Sequence, residues 1–256
     1  MAQSDQPLIR SLNFLFLICI GLLLALAPAG AGEIELNPIL GGFEALPALN
    51  IRNRSGKIWV ARQDSVLIPG DSFQVPNPGA VWVAFERGFH FLAGRGAQAT
   101  VGEFSATGLK VPSVRLSAGE ARVMVEPKGE VVSYIRFVVE TPHAWMGVVG
   151  TDFAVKVGES ETELKVFSGE VRLALSPTDL DEGNRVSVAA RHGITFVSGK
   201  PVGEPFEFDV PKFLSQFYVR QPELDLLWRR VSREVRNDRV KPRFKRLRKS
   251  LGLVKE

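Results

Sequence analysis

Three histidines, one cysteine and a scatter of carboxylates are the residues of this chain with the means to move protons, attack as nucleophiles or hold a metal. His90, His143 and His192 stand far apart, and none has a second ligand at the short spacing of a zinc site. His143, beside Trp145, reads instead as a strand or loop residue with a satisfied ring. Cys19 lies within the apolar run Phe14–Ala27 and follows Ile18 rather than a small residue, which argues against lipidation. There is no Gly-x-Ser-x-Gly elbow, no phosphate loop and no Ser–Lys pair at helical spacing; Gly41-Gly42 and Gly94-Arg95-Gly96 read as turns. Glu120, Glu140, Asp152 and Glu170 fall at strand or turn positions, where solvated charge explains them. A glycosidase needs only two suitably placed carboxylates, so a hydrolase stays a third reading. The expectation is no enzyme, no metal and no cofactor.

Binding is the better prospect. Trp82, Phe85, Phe89, Phe91 and Trp145 are assigned mainly to a core. Alternation with Leu164 and Val166 places Phe167 outward or in a second layer. The net charge of +4 conceals an asymmetry. Residues 229–256 hold 12 Lys or Arg against 3 Asp or Glu, and the remainder holds 20 against 25. The candidate contacts for an anionic surface are Arg229, Arg230, Arg233, Arg236, Arg239, Lys241, Arg243, Lys245, Arg246, Arg248 and Lys249. Near such a surface a well-placed cation contributes about 1 kcal/mol. Nucleic acid is the usual partner of a basic run, but export removes it from consideration. The expected partner is therefore an envelope protein, or an anionic envelope polymer or lipid surface.

Export follows from the first thirty-one residues. Arg10 provides a positive flank, Phe14–Ala27 an apolar stretch, and Ala29-Gly30-Ala31 the small residues that a signal peptidase requires. Fourteen apolar residues in a helix reach roughly 21 Å, short of the ~30 Å hydrocarbon core, so cleavage after Ala31 is preferred to an uncleaved inner-membrane anchor. The remainder then carries no cysteine and relies on its core for stability. It divides into a leader over 32–56, rich in Gly, Pro and Asn, a β-domain over 57–208 and a basic helical tail over 209–256.

The β-domain is read from period-two runs. Phe153, Val155 and Val157 share one face opposite Lys156. After the turn at 158–161, Leu164 and Val166 face inward, and Ser168-Gly169 leads into Val171, Leu173 and Leu175. Three such runs predict an antiparallel meander or a strand-and-turn wind. The fold class is mainly β, with short antiparallel strands in a sandwich or solenoid-like wind. A weak echo links Gly119-Glu120-Ala121-Arg122-Val123 with Gly169-Glu170-Val171-Arg172-Leu173, although two copies do not make a repeat. In the tail, Pro222 suits the first turn of a helix striped by Leu224, Leu227, Trp228, Val231 and Val235. A second stretch carries Phe244, Leu247 and Leu251, with Gly252 as its cap.

The segment from Val138 to Leu175 resembles the FecR domain family. Thr141, Pro142 and Ala144 match a Thr-Pro-x-Ala element, and Val148, Gly150, Thr151 and Phe153 match Val-x-Gly-Thr-x-Phe. Val166, Gly169 and Val171 fit the hairpin that follows. The looser likeness runs from Ile58 to Leu175. Read physically, Pro142 marks a strand edge, and Gly150 provides a bulge or a positive φ that aims Phe153 into the core. These are architectural residues. The resemblance implies an extracytoplasmic β-domain that binds or transmits, as in regulators that pair with outer-membrane receptors and control a sigma factor. Those regulators carry a cytoplasmic anti-sigma segment, for which only Met1 to Ser11 is at hand here. The expectation is thus a stand-alone periplasmic or surface module.

Overall fold

The computed structural model describes residues 37–106, 109–126, 134–200 and 202–251. The signal, Cys19, the start of the leader and the Gly252 cap lie outside the described residues. The strands in chain order are β1 (Ile39–Glu44), β2 (Leu49–Arg52), β3 (Ile58–Ala61), β4 (Ser72–Gln74), β5 (Ala80–Phe85), β6 (Phe89–Ala93), β7 (Gln98–Ala106) and β8 (Leu109–Val125). Then come β9 (Phe137–Glu140), β10 (Trp145–Val148), β11 (Asp152–Val157), β12 (Glu161–Ser168), β13 (Glu170–Ala174), β14 (Val186–Ala189), β15 (His192–Val197) and β16 (Phe206–Glu207). A short helix, α1 (Pro177–Glu182), interrupts the last strands, and α2 (Val210–Arg220), α3 (Pro222–Arg236) and α4 (Val240–Ser250) follow them.

The strands form two layers joined by β8. Its first half pairs with β7 and, in parallel, with β9; its second half pairs with β6 and β11. Sheet A runs β1-β5-β6-β8-β11-β12-β15-β16, and sheet B runs β3-β2-β4-β7-β8-β9-β10-β13-β14. The sandwich expectation is met. Two details differ: β8 is seventeen residues long, and the β8–β9 pair is parallel rather than antiparallel.

Alternate side chains of both sheets meet in one apolar core, with Phe85, Phe91, Val123, Phe137, Phe153, Leu164 and Val171 among its buried members. Phe153, Val155, Leu164 and Val166 face inward as their alternation predicts, and Lys156 is exposed. Leu175 departs from that pattern: it lies just past the end of β13 and is 54% exposed. The three runs are also not one meander. The chain passes from β12 in sheet A to β13 in sheet B, and β13 pairs with β10 and β14.

The Gly-Glu-x-Arg echo marks where the chain changes sheets. Gly119, in the middle of β8, has φ +89°, and Gly169, between β12 and β13, has φ +79°. A Cβ at Gly119 would lie 2.5 Å from Ala97 Cα, and one at Gly169 would lie 2.3 Å from the Gly150 carbonyl oxygen. Left-handed backbone and close approach both demand glycine there. The echo is therefore a repeated corner.

The sandwich starts earlier than the sequence suggests, because β1 and β2 fall within the segment read as a leader. The glycines that made β1 resemble a turn serve packing. A Cβ on Gly41 would lie 2.4 Å from the Trp82 indole, and a bulge between Leu40 and Gly42 lets the strand continue.

The basic tail is a third layer. Asp209 caps α2 by accepting the Lys212 N–H, and Pro222 opens α3 as expected. Leu224, Leu227, Val231, Val240 and Phe244 are buried against Ile39, Ala80, Trp82, Ala84 and Leu92 on the outer face of sheet A. Trp228, Val235 and Leu247 pack at the margin, while Leu251, counted on the apolar stripe, is 55% exposed. On sheet B, among the described residues, α1 covers a smaller cluster around Val138 and Leu180.

Candidate functional site

The family motif positions sheets. Thr141 Oγ1 donates to the Ala144 carbonyl (3.0 Å) and accepts the Ala144 and His143 N–H groups at 3.0 and 3.3 Å. Pro142 lies in that turn between β9 and β10. Thr162, on β12 of the other sheet, donates to Thr141 Oγ1 at 3.3 Å, and His143 Nδ1 lies 2.8 Å from Thr162 Oγ1. Thr151 Oγ1 in turn donates to the Glu170 carbonyl at 2.8 Å, bracing the Gly169 corner. Val148 and Phe153 are fully buried. Gly150 has no left-handed φ; its carbonyl abuts Gly169, and the bulge falls between Asp152 and Phe153.

Each carboxylate weighed for catalysis meets a cation. Asp152 holds Arg122, Glu140 holds Arg115 (2.6 Å), Glu170 holds Arg172 (3.6 Å), and Glu120 holds Arg220 (3.8 Å). Glu120 also accepts from Gln221 Nε2 at 3.2 Å, while Gln221 Oε1 receives the Arg95 N–H at 3.1 Å. This amide locks the α2–α3 junction onto the sheet.

Arg122 is the centre of the seam between sheet A and the helices. Its Nε and Nη2 donate to the two Asp152 oxygens at 2.9 and 2.6 Å, and its Nη1 donates to the Tyr218 hydroxyl. The guanidinium lies 3.5 Å from the centroid of the Trp228 ring and 5.0 Å from that of Phe167. Burial is the largest influence and works against its charge, but Asp152 and Tyr218 together outweigh it and leave the pKa raised above its ordinary value. Burial also pushes the Tyr218 phenol up to about 12, against the pull of Arg122. Phe167 thus belongs to a second aromatic layer with Phe208, Phe213 and Phe217.

The remaining histidines have separate settings. His90 is fully buried and its Nε2 lies 3.0 Å from Glu126 Oε1, while Nδ1 meets no partner. Nε2 is thus the ring nitrogen placed to donate to Glu126. That bond holds the Glu126 carboxyl below its ordinary range, against burial. His192 Nδ1 lies 3.0 Å from the Ala190 carbonyl.

The cations expected at an anionic surface divide into two sets. Arg243 and Arg248 turn inward: Arg243 binds Asp64 (3.2 Å) and Glu234 (3.0 Å), and Arg248 binds Glu86 at 2.5 Å. Both are buried, so neither offers its charge to a surface. Arg230 is half-buried against Glu44. Arg229, Arg233, Arg236, Arg239, Lys241, Lys245, Arg246 and Lys249 are exposed. Arg229 and Lys241 also pair locally with Asp225 and Asp238.

A site that sequence reasoning missed lies on the opposite side. Among the described residues, the outer face of sheet B across β2, β4 and β7 is bare and forms a groove of about 660 Å³ lined by Asn50, Arg52, Ser72, Gln74, Gln98 and Thr100, among others. Its amides and hydroxyls alternate with the buried Ile51, Phe73 and Ala99. That alternation was the available signal, carried by strands of only three or four residues in β2 and β4. No helix among the described residues is long and apolar enough to cross a membrane.

Comparison with known proteins agrees with the motif. Residues 96–172 match the family described as FecR protein. That stretch contains both corner glycines. No curated protein matches the chain. Two crystal structures, each of a candidate anti-sigma factor from Parabacteroides distasonis ATCC 8503, are similar to it at 16% identity. They cover 57% of this chain, with TM-scores of 0.44 and 0.43. This chain covers 63% and 64% of theirs, less than two thirds of their length. The long strand β8, the corner glycines and the Thr-Pro-x-Ala turn thus all fall within residues 96–172, the stretch that matches the FecR family.

Proposed function

We propose that the protein is an exported, non-enzymatic FecR-type module that binds a protein partner in signalling at the bacterial cell envelope. The bare outer face of sheet B is its binding surface. The observation that carries the reading is an asymmetry. Helices α2, α3 and α4 close the outer face of sheet A, whereas the groove on sheet B is open among the described residues and lined by amides and hydroxyls beside Arg52, with Ile58 and Pro76 between them. Such a lining offers directional hydrogen bonds on a rigid floor, which suits recognition. A hydrolase is disfavoured, because each of the four carboxylates already serves a cation.

The test is crosslinking in intact cells followed by identification of the adducts, comparing the natural protein with Gln74→Trp, which fills the groove. A specific adduct that disappears in the variant, at unchanged melting temperature, is expected. An adduct that persists at full yield sinks the proposal.

A second reading is favoured by the eight exposed cations of α3, α4 and the turn between them: anchoring to an anionic envelope surface. Anionic liposomes should then retain the protein at low salt and release it at high salt. Charge reversal at Arg236, Arg239, Lys245 and Arg246 should abolish retention and leaves the buried Val240 and Phe244 in place. Salt-insensitive retention would count against it.

A further inference from the structure

A sheet edge attracts another strand unless something blunts it, and the four edges of this sandwich are not treated alike. The β1 edge is covered by the segment 64–67: Asp64 N–H donates to the Leu40 carbonyl, Leu40 N–H to Ser65, and Leu67 N–H to Pro38. The β16 edge is two residues long. The β14 edge turns Ser187 and Ala189 outward. The β3 edge differs: Ile58 and Val60, 56% and 60% exposed, occupy outward positions where a protected edge would carry lysine or proline. Among the described strands, β3 pairs with β2 alone.

Its backbone is also open among the described residues. Asn53 N–H donates to the Lys57 carbonyl. In an antiparallel ladder hydrogen-bonded pairs alternate, so the next such pair is Ile51 with Trp59. Arg52–Ile58 and Asn50–Val60 are then the pairs whose N–H and C=O groups point away from each other. Consistently, the Arg52 carbonyl accepts from Ser72 Oγ on the β4 side, at 3.2 Å. The N–H and C=O groups of Ile58 and Val60 therefore face outward at the edge.

Charge selects the occupant. Arg52, Arg54, Lys57 and Arg62 are exposed around this hairpin, and the nearby Asp64 is engaged by Arg243. Two copies pairing edge to edge would bring these cations together, whereas an extended segment bearing Asp or Glu would neutralise them. Ile58 and Arg52 also line the groove, so an added strand would continue its floor. We infer that β3 accepts an acidic, extended segment of the partner as an additional strand of sheet B. The inference rests on sheet B being the binding surface.

The test uses two blocked eight-residue peptides, one alternating Glu and Val, the other Lys and Val, with the purified protein. The Glu peptide should bind in fluorescence anisotropy, weaken with salt, and slow amide exchange at Ile58 and Val60 at least tenfold. Val60→Pro deletes one outward donor without touching the β2 ladder and should weaken binding at least tenfold at unchanged melting temperature. The double variant Ile58→Glu, Val60→Glu, which sets like charges against the Glu peptide, gives the same reading if the proline variant does not fold. Equal binding of both peptides, or binding indifferent to these variants, overturns the inference. So does a concentration-dependent dimer that Val60→Pro abolishes. A cellular adduct lost in Gln74→Trp but kept in Val60→Pro removes the edge and leaves the binding face standing; one kept in Gln74→Trp removes the face itself.

Discussion

Replacing Asp152 with Asn tests whether the helical layer is held to sheet A by the Arg122 seam. The substitution keeps the shape of the side chain but deletes its charge, and it sets an amide donor against a guanidinium that has only donors. Arg122 is 5% exposed and stays beneath α2 and α3 without a counter-charge. Removing one partner of a buried pair costs about 3–5 kcal/mol, because the other charge is stranded. The Asp152 side chain keeps 20% exposure, which favours the lower end, about 3 kcal/mol. At roughly 2–4 °C per kcal/mol for a protein of this size, melting should fall by about 6–12 °C in circular dichroism. Arg122→Met in the Asp152→Asn background removes the stranded charge, stays over Trp228, and should raise stability again. An Asp152→Asn variant within about 0.5 kcal/mol of the natural protein, or a second substitution that merely adds its own cost, would refute the reasoning.

Gly169→Ala should destabilise more than any other single methyl added at a turn, since it meets both a left-handed φ and the Gly150 carbonyl; an expected loss above about 2 kcal/mol is readable by urea unfolding. Glu126 adds a pH dependence. The His90 hydrogen bond lowers its folded-state pKa against burial, with Lys241 adding to the effect and Asp238 opposing it. Its contribution is therefore present above the ordinary carboxylate range and lost as pH falls through the lowered value. Glu126→Gln should flatten the acid limb of the melting-temperature profile, and an unchanged limb would deny that role. Export predicts that protein recovered from the envelope begins at Gly32 by N-terminal sequencing; a start at Met1 or Ala2 would mean that the segment is retained.

The parts of the fold legible in the sequence are those where periodicity and burial coincide. Phe153 to Val166 alternates cleanly because those strands have one face in the core and the other under helices or solvent. The stripe Leu224, Leu227, Val231 was likewise visible, and it predicts an inward face. Arg243 and Arg248 show the limit of that reading. Both flank the stripe made by Val240, Phe244 and Leu247, so the helix turns them towards Asp64, Glu234 and Glu86, which come from other elements. Composition counted them as surface charge. β1 escaped because Gly41 answers to Trp82, more than forty residues away, and not to its local sequence. The sheet switch at Gly169 escaped for the same reason: a two-residue turn after a strand looks like a hairpin until its partners are known. The groove on sheet B depends on short polar alternations in strands brought together from distant segments.

The central claim is that the partner meets the bare face of sheet B. A photo-crosslinking amino acid placed at Thr100 in the groove, or at Leu226 on the outer side of α3, addresses it in living cells. The account predicts one discrete protein adduct from position 100 and none of the same mass from position 226. That adduct arising from position 226 alone would contradict it.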